Sequence, residues 1–272
     1  MKLVTYNLWN THIHRLERLN AACEELSHVA ADIVALQEVA ARVDAADERT
    51  AARYIGDRCG YEHIVTRLYP DDPDEGLSIL SKRPFSADEV GWDTSFGPLK
   101  NCGLRVCLTI DQTNVAITNV HLDYDSIAHR EAQIVAVLEW IESRAGAECY
   151  EILCGDFNAP PDSSVYRFLM GQQTLLGKGV QPWHDVARYH AEKAGRTPAP
   201  TLDFWNNPRW RDVATLSIPA RVDWIFLQDL FNSGLPYPHV MNADVFGTEP
   251  TPLARLVPSD HYGVYAELAF DT

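Results

Sequence analysis

The chain has 272 residues, of which 46% are hydrophobic and 22% are charged, a globular composition that excludes collagen-like, coiled-coil and disordered proteins. A chain of this length buries a large core without disulfides or a structural metal. The 38 acidic and 23 basic residues give a net charge of −15, which disfavours long duplex nucleic acid because Lys and Arg must neutralise its phosphates.

The N-terminal part of the chain predicts a strand, a helix and a second strand. Leu3 to Leu8 is a run of strand formers that ends in polar residues, so Asn7 lies near the end of this strand. Apolar residues spaced by three and four predict a helix over Arg15 to Ala30. Ile33 to Leu36 is the second strand, and Glu38 lies just past it. Because ligands collect at strand ends in α/β folds, Asn7 and Glu38 are expected to converge.

The middle of the chain is richer in strands, which are expected to pair as antiparallel neighbours. These predicted strands are Tyr61 to Thr66, Leu77 to Ser81, Leu104 to Ile110 and Val115 to His121. A second helix is predicted over about Ser126 to Ser143. It leads into the strand Glu151 to Cys154, which ends in Gly155-Asp156-Phe157-Asn158.

The C-terminal part begins with a loop-rich stretch from Leu175 to Pro219, and the last strands are Val222 to Leu227 and Tyr262 to Phe270. The sequence contains no low-complexity linker, charge run or fixed-period repeat, so a single domain over residues 1–272 is predicted. Its two halves share a strand, helix, strand rhythm that ends in acid and amide groups. Two facing sheets with helices outside would accommodate this pattern.

The N-terminus and the cysteines indicate a reducing compartment. No signal peptide is visible, and no apolar run is long enough to span a bilayer, so a cytoplasmic protein is expected. The six cysteines include no Cys-x-x-Cys pair and are expected to be buried thiols. They are Cys23, Cys59, Cys102, Cys107, Cys149 and Cys154.

Polar side chains at the predicted strand ends form the candidate site. They are Asn7, Glu38, His121, Asp156, Asn158, Asp223, Asp260 and His261. Carboxylates together with an amide oxygen are hard ligands that suit Mg²⁺ or Mn²⁺ better than zinc. A hard cation near two histidines indicates phosphate chemistry, because phosphoryl transfer needs charge neutralisation, an oriented water and help for the leaving oxygen.

Seven short motifs follow one another from residue 5 to residue 263. They are Thr-Tyr-Asn7, Leu-Gln-Glu38, Gly76-Leu-Ser-Ile-Leu-Ser-Lys, Asn-Val-His121-Leu, Gly-Asp156-Phe-Asn158, Val-Asp223-Trp-Ile-Phe and Ser-Asp260-His261-Tyr-Gly. In this order they resemble the endonuclease/exonuclease/phosphatase superfamily, which has the DNase I-like fold. The resemblance implies an α/β, four-layer α/β/β/α sandwich of two facing mixed sheets with outer helices, with its site where the sheets open.

The resemblance also implies the metal-binding residues. Glu38 matches the principal metal ligand of the family, Asn7 its amide partner, and Asp260 a residue near a second metal. Mg²⁺ is the expected cofactor, with Mn²⁺ as a substitute. Glu75, which precedes the Gly76 motif, resembles an acid that supports His121 in some members.

The remaining motif residues match groups that act on water and phosphate. Asp156 matches the residue that orients or deprotonates the attacking water, and Asn158 matches the amide that helps hold this water and the phosphate. His261 matches the histidine on the scissile phosphate, and Asp223 fixes its orientation. His121 matches a second phosphate-binding histidine.

Outside the motifs, the segment Phe204 to Arg211 and the residue Arg105 each have a substrate-binding and a structural interpretation. Phe204 to Arg211 interleaves aromatic residues with Arg, so Trp205 and Arg209 could stack a base or hold a cationic headgroup. Alternatively, this segment is a long connection pinned to the surface by its tryptophans. Arg105 could face the cleft and bind phosphate, or form an ordinary ion pair.

The leading hypothesis is a monomeric Mg²⁺-dependent phosphoesterase that hydrolyses a P–O bond of a phosphomonoester or phosphodiester by in-line attack of an activated water. Small-molecule, lipid-headgroup and nucleotide substrates are all compatible with it. Val39-Ala40 follows Glu38, whereas the abasic-site endonucleases have a lysine two residues after the glutamate, and the secreted sphingomyelinases carry an export signal that is not visible here. The alternatives are a DNA or RNA nuclease and a catalytically inactive phosphate-binding module.

Overall fold

The computed structural model describes residues 1–70, 72–90, 103–144, 146, 148–231 and 233–270. The helices are α1 (Arg15–Val29), α2 (Ala51–Cys59), α3 (Ile127–Arg144), α4 (Ser164–Leu169) and α5 (Val186–Lys193), with a short 3-10 helix at Pro208–Trp210. The strands are β1 (Lys2–Asn7), β2 (Ile33–Ala40), β3 (His63–Tyr69), β4 (Asp72–Ser81), β5 (Ser86–Val90), β6 (Gly103–Ile110), β7 (Thr113–His121), β8 (Cys149–Asp156), β9 (Trp183–Asp185), β10 (Asp223–Gln228), β11 (His239–Phe246) and β12 (Gly263–Ala269).

The strands form two mixed sheets that pack face to face. The first sheet has the order β11-β12-β1-β2-β4-β3, and the second has the order β5-β6-β7-β8-β10-β9. Each sheet contains a parallel pair joined by a helix, β1 and β2 through α1 and β7 and β8 through α3. The predicted antiparallel pairing of β3 with β4 and of β6 with β7 is confirmed. The predicted α/β sandwich, with its repeated strand, helix, strand rhythm, is therefore confirmed.

Apolar side chains fill the layers of the sandwich. One core lies between α1, α2 and the first sheet, and a second core joins the two sheets and extends under α3 and α4. Ile33 and Ala35 of β2 and Ile117 of β7 are fully buried in the second core. Because burial of one large aliphatic side chain stabilises a fold by about 1.5–3 kcal/mol, the sandwich interior holds the two sheets together. This stabilisation offsets the cost of burying polar groups at one end of the sandwich.

A polar bridge joins the two sheets near the ends of their parallel strands. The Gln37 side-chain nitrogen donates to Asn119 Oδ1 at 2.6 Å and to Thr5 Oγ1 at 3.0 Å. The Asn119 side-chain nitrogen donates to the carbonyl oxygens of Leu36 and Ser78 at 2.9 and 3.1 Å. A buried amide left without partners would be destabilising, so these bonds favour a single register of one sheet on the other.

Strand β2 is longer than predicted because it contains a bulge. It continues to Ala40, and its register with β4 shifts between Leu36 and Val39, where one extra residue is accommodated. Glu38 lies in this bulge with φ of 51°. A bulge with a left-handed residue re-aims the side chain. Glu38 therefore points into the open end of the sandwich from within a strand rather than from a following loop.

Several elements were not predicted from the sequence. Helix α2 is the largest of them; the side chain of Thr50 caps it by accepting from Arg53 N, and Gly60 ends it in the left-handed conformation. The predicted loop from Leu175 to Pro219 contains β9 and α5. The five cysteines among the described residues are free thiols, and Cys102 lies outside those residues. Among the described helices, none is long and apolar enough to cross a membrane.

Gly155 allows β8 to approach β7 directly before Asp156. Its φ is 142°, and an added Cβ would lie 1.9 Å from the carbonyl oxygen of Val120. We expect Gly155→Ala to lower the free energy of unfolding by about 2–4 kcal/mol, since the clash is with backbone that cannot rotate away. Urea unfolding measures this change. Gly179→Ala, where a Cβ meets nothing within 4 Å, is the matched control, and equal losses in both variants would contradict the prediction.

Candidate active site

The candidate site forms where the carboxyl ends of the two parallel strand pairs meet. In the first sheet Asn7 of β1 lies beside Gln37 of β2, one residue before Glu38. In the second sheet His121 of β7 lies directly beside Asp156 of β8. Strand β10 pairs antiparallel with β8 and sets Asp223 opposite Asp156. The topology therefore brings side chains from both sheets to one end of the sandwich.

Asn7 connects the carboxylates of the two sheets. Its side-chain nitrogen donates to Glu38 Oε1 and to Asp156 Oδ2, both at 2.9 Å. Its side-chain oxygen accepts from the backbone N–H of Trp9 at 2.8 Å. The opposite orientation of the amide would set an oxygen against two carboxylates and an NH₂ group against an N–H donor. Asn7 therefore holds Glu38 and Asp156 at a set separation.

Asp156 is held through both of its carboxylate oxygens. While Oδ2 accepts from Asn7, Oδ1 accepts from the backbone N–H of Asn158 at 2.8 Å. Asn158 has φ of 47°, and its side-chain nitrogen donates to the carbonyl oxygen of Leu122 at 2.9 Å. The Asp-Phe-Asn turn thus gives the Asp156 carboxylate one orientation, and the carboxylate is almost fully buried.

His261 lies between two buried carboxylates. Its Nδ1 donates to Asp223 Oδ2 at 2.9 Å and lies 3.9 Å from Asp156 Oδ2. Burial lowers the pKa of His261, but the charges of Asp223 and Asp156 outweigh burial and raise this pKa well above its usual value. The raised pKa favours the imidazolium form, and this cation would offer positive charge where a phosphate needs it.

His121 completes the group from the other side of Asp156. Its Nε2 lies 3.7 Å from Asp156 Oδ2, and its Nδ1 is hydrogen-bonded to the Tyr69 hydroxyl at 2.8 Å. Tyr69 thus supports His121 from one side, while the charge of His121 also acts on Glu75, so the supporting role expected for Glu75 stays a prediction. Sequence reasoning missed Tyr69, because its position beside His121 depends on how β3 and β4 lie against β7.

We expect Tyr69→Phe to reduce kcat about 10-fold, because His121 loses the hydroxyl that sets its ring orientation. The ring of Tyr69 is buried and Phe preserves it, so the free energy of unfolding is expected to change by no more than about 1 kcal/mol. Steady-state kinetics on a phosphodiester measures the first quantity and urea unfolding the second. Unchanged kcat would mean that the hydroxyl does not orient His121 for the reaction.

A group of carboxylates suits a hard cation. Burial, reinforced by the charge of Glu38, raises the pKa of Glu75 to about 7 and that of Asp260 to about 6. Glu38 Oε2 accepts from the backbone N–H of Asn10 at 2.8 Å. A bound divalent cation would relieve the repulsion between these acids, and their oxygens match the preference of Mg²⁺ and Mn²⁺. The residues present therefore fit the expected metal.

Among the residues that the structure describes, Asp156, Asp223 and His261 form a compact set of ligand-type atoms, which lie within 4.8 Å of one another. In this set the Nδ1 proton of His261 already occupies the space before Asp223 Oδ2. An imidazolium cannot ligate a metal through that nitrogen. The metal therefore stays predicted at Glu38, whose charge acts on Asp260 and Glu75.

Arg105 does not lie at the site, and the expectation that it binds phosphate there is wrong. It faces the outer side of the second sheet, where it forms a two-pronged ion pair with Glu151. Its guanidinium lies over the ring of Trp140 of α3, and its side chain is only 2% exposed. In β6 the side chains alternate between the two faces of the sheet, and the sequence pattern does not show which face carries Arg105.

The aromatic segment Phe204 to Arg211 lies beside the site. Arg209 Nε donates to the carbonyl oxygen of Val257 at 3.0 Å, and its guanidinium lies over the Trp9 ring at 5.7 Å. Trp205 is 70% exposed, so its indole is accessible to a ligand. The contact of Arg209 with Trp9 supports the interpretation as a packed connection, while the use of Trp205 by a substrate stays a prediction.

Like Arg209, Arg18 of α1 contacts Trp9. Trp9 has φ of 54°, and its role in the site was not predicted from the sequence. The guanidinium of Arg18 lies over the Trp9 ring at 4.9 Å and donates to the carbonyl oxygens of Leu8 and Pro258. These contacts stabilise the left-handed backbone conformation of Trp9, which would otherwise be unfavourable. They keep the Trp9 N–H on the oxygen of Asn7, and so maintain the amide orientation that holds Glu38 and Asp156.

Comparisons with known proteins agree with this geometry. A family model described as "Endonuclease/Exonuclease/phosphatase family" matches residues 4–261. The chain is 26% identical over 197 residues to the Drosophila melanogaster "Putative neutral sphingomyelinase", covering 65% of this chain and 43% of that protein. It is 28% identical over 173 residues to human "Protein angel homolog 2", covering 58% of this chain and 31% of that protein. The chain thus spans less than half the length of these curated relatives.

A solved structure with a similar fold is that of Danio rerio TDP2 complexed with single-strand DNA product. Its TM-score is 0.74, with 18% sequence identity, and the match covers 98% of this chain and 97% of that one. At this level of identity the likeness concerns the fold. It agrees with the two-sheet sandwich and its outer helices.

Proposed function

Because the chain belongs to the endonuclease/exonuclease/phosphatase family, we propose that it is a Mg²⁺-dependent hydrolase of phosphate esters whose site is the Glu38, Asp156 and His261 cluster. The observation that carries this proposal is the environment of Asp156. This carboxylate is held by Asn7 and Asn158 and lies next to the cationic His261. A buried carboxylate in one orientation beside a buried cation suits activation of water against a phosphate.

In the proposed reaction Asp156 orients the attacking water and accepts a proton from it. Asn158 aligns the same water and the phosphate. Preorganisation favours this step because neither oxygen of Asp156 must reorient as the water attacks in line. Asn7 maintains the distance from Asp156 to Glu38. The water that Asp156 orients and the phosphate on the Glu38 side are therefore held next to each other.

The opposing groups stabilise negative charge on the phosphate. His261, kept protonated by Asp223, faces the charge that develops on the phosphoryl oxygens, and His121 contributes a second imidazole held by Tyr69. A bound Mg²⁺ or Mn²⁺ would neutralise non-bridging oxygens and assist the leaving oxygen. Glu38 would be its principal ligand, with Asn7 as the amide partner of Glu38 and with Asp260 and Glu75 nearby.

The charge of the chain supports one group of substrates over another. A net charge of −15 favours a small phosphoester, a lipid headgroup or a nucleotide over a long duplex, since duplex binding depends on many phosphate contacts. A nuclease acting on single strands is the second candidate, because a short single strand needs fewer phosphate contacts than a long duplex. A catalytically inactive phosphate-binding module is the alternative outside enzymes.

A substrate panel separates these functions. The wild type and His261→Ala are assayed with Mg²⁺, Mn²⁺ or EDTA on a phosphomonoester, a small diester, a phosphocholine lipid, and single- and double-stranded oligonucleotides. We expect metal-dependent turnover of a non-duplex substrate that is abolished by EDTA and by His261→Ala. Turnover of oligonucleotides alone, falling steeply with salt, would favour the nuclease. Phosphate binding without turnover by any metal form would favour the binding module.

A further inference from the structure

Helices α1 and α2 bring two cysteines together on the outer side of the first sheet, away from the candidate active site. Cys59, the last residue of α2, donates its thiol proton to the carbonyl oxygen of Cys23 in α1 at 3.6 Å. The two thiols are also within hydrogen-bonding distance of each other. Ser27, one turn after Cys23, donates its hydroxyl to Cys59 Sγ at 3.7 Å. Cys23 is 8% exposed and Cys59 is half-buried.

The surroundings distinguish the two thiols. Cys59 accepts hydrogen bonds from Cys23 and Ser27, and the cations of Lys82 and Arg58 lie near it; together these groups outweigh burial and lower its pKa to about 7. The hydrogen bond to Cys59 and burial instead raise the pKa of Cys23. Because the thiolate is the nucleophile, Cys59 is the thiol that reacts first, and the less accessible Cys23 is close enough to react with it afterwards.

We propose that Cys59 is a peroxide-reactive thiol and that Cys23 is its resolving partner, so that oxidation joins α1 to α2 by a disulfide. The oxidant is hydrogen peroxide. The Cys59 thiolate attacks one peroxide oxygen, the O–O bond breaks, and a sulfenic acid and hydroxide form. The Cys23 sulfur then attacks the Cys59 sulfur, its proton leaves with the displaced hydroxyl as water, and the S–S bond forms. Two thiols and one peroxide thus give one disulfide and two waters.

Two other cysteines of the described residues provide the contrast. Cys149 is half-buried like Cys59, but burial and the charge of Glu151 raise its pKa to about 12. Cys154 is fully buried, and burial raises its pKa as well. The proposed reactivity therefore depends on the pairing with Cys23 and on the nearby cations rather than on exposure alone.

The test is a competition between cysteines of the folded wild type. The protein is treated with iodoacetamide across pH 5 to 9, and each peptide is quantified by mass spectrometry. We expect Cys59 to be alkylated at least about 100-fold faster than Cys149 at pH 7, with half-maximal rate near that pH. Equal rates at the two cysteines would overturn the proposal, and this readout needs no variant that could misfold.

The second readout is the oxidation product. One equivalent of hydrogen peroxide is expected to yield a disulfide-linked pair of peptides containing Cys23 and Cys59, absent from Cys23→Ser and Cys59→Ser and present in the control Cys149→Ser. In Cys23→Ser, dimedone is expected to trap the sulfenic acid on Cys59. A disulfide between another pair of cysteines, or Cys59 left reduced while other thiols oxidise, would overturn the proposal.

Discussion

Replacement of Asp156 by asparagine is expected to reduce kcat about 10³-fold, with KM changed less than about 5-fold. The variant keeps the size of the side chain and the acceptor for the Asn158 N–H, but it lacks the base that takes the proton of water. It also sets an NH₂ group against the side-chain nitrogen of Asn7, which donates to Asp156 in the wild type. Steady-state kinetics on the substrate found by the panel measures the loss.

Asp162→Asn is the matched control, because Asp162 is an exposed carboxylate only six residues further along the chain. It is expected to retain wild-type kcat and KM. Circular dichroism and urea unfolding verify that both variants are folded. A folded Asp156→Asn protein with kcat within 10-fold of wild type would exclude Asp156 as the base.

Replacement of Asp223 by asparagine is expected to move the alkaline limb of the pH–kcat profile to lower pH. In the wild type the charge of Asp223 helps to keep His261 protonated above its usual pKa. Without this charge the protonated form loses stabilisation, so the pKa of His261 falls and the imidazolium is lost as the pH rises through the lower value. The expected result is a loss of about 10²-fold at pH 8 and a smaller loss at pH 6.

The chain offers a control for this variant in a second carboxylate–histidine pair. His184 Nε2 lies 2.9 Å from Asp229 Oδ2, and neither residue is among those that form the candidate site. Asp229→Asn is expected to leave the pH–kcat profile unchanged. If Asp223→Asn lowered kcat by the same factor at every pH, its role would be purely structural and the proposed protonation of His261 would be wrong.

Much of the sandwich could be predicted because its central strands are strongly apolar and its two long helices have clear periodicity. Helix α2 escaped detection although Thr50 and Gly60 are ordinary signals for a helix start and a helix end. The residues at the ends of β1, β7 and β8 were identified because polar side chains interrupt apolar strands there. The convergence of these residues is a matter of topology, which the repeated strand, helix, strand pattern indicates.

Details that depend on pairing between distant elements could not be predicted. Glu38 lies in a bulge that exists only in the register of β2 with β4. Tyr69 reaches His121 only once the two sheets are stacked. The face on which Arg105 lies depends on the alternation along β6, and a single arginine among apolar residues does not reveal it. In each case the missing information was a contact across sheets or strands rather than a local preference.

The central claim is that Glu38 holds a catalytic divalent cation beside Asp156. The most direct measurement is turnover of a small phosphodiester as a function of Mg²⁺ concentration, with EDTA-treated wild type and Glu38→Gln. We predict no turnover without metal, saturation by Mg²⁺ in the wild type, and at least about a 10-fold higher half-saturating Mg²⁺ concentration for the folded variant. Turnover that persists in EDTA, or identical Mg²⁺ dependence in the two proteins, would contradict this account.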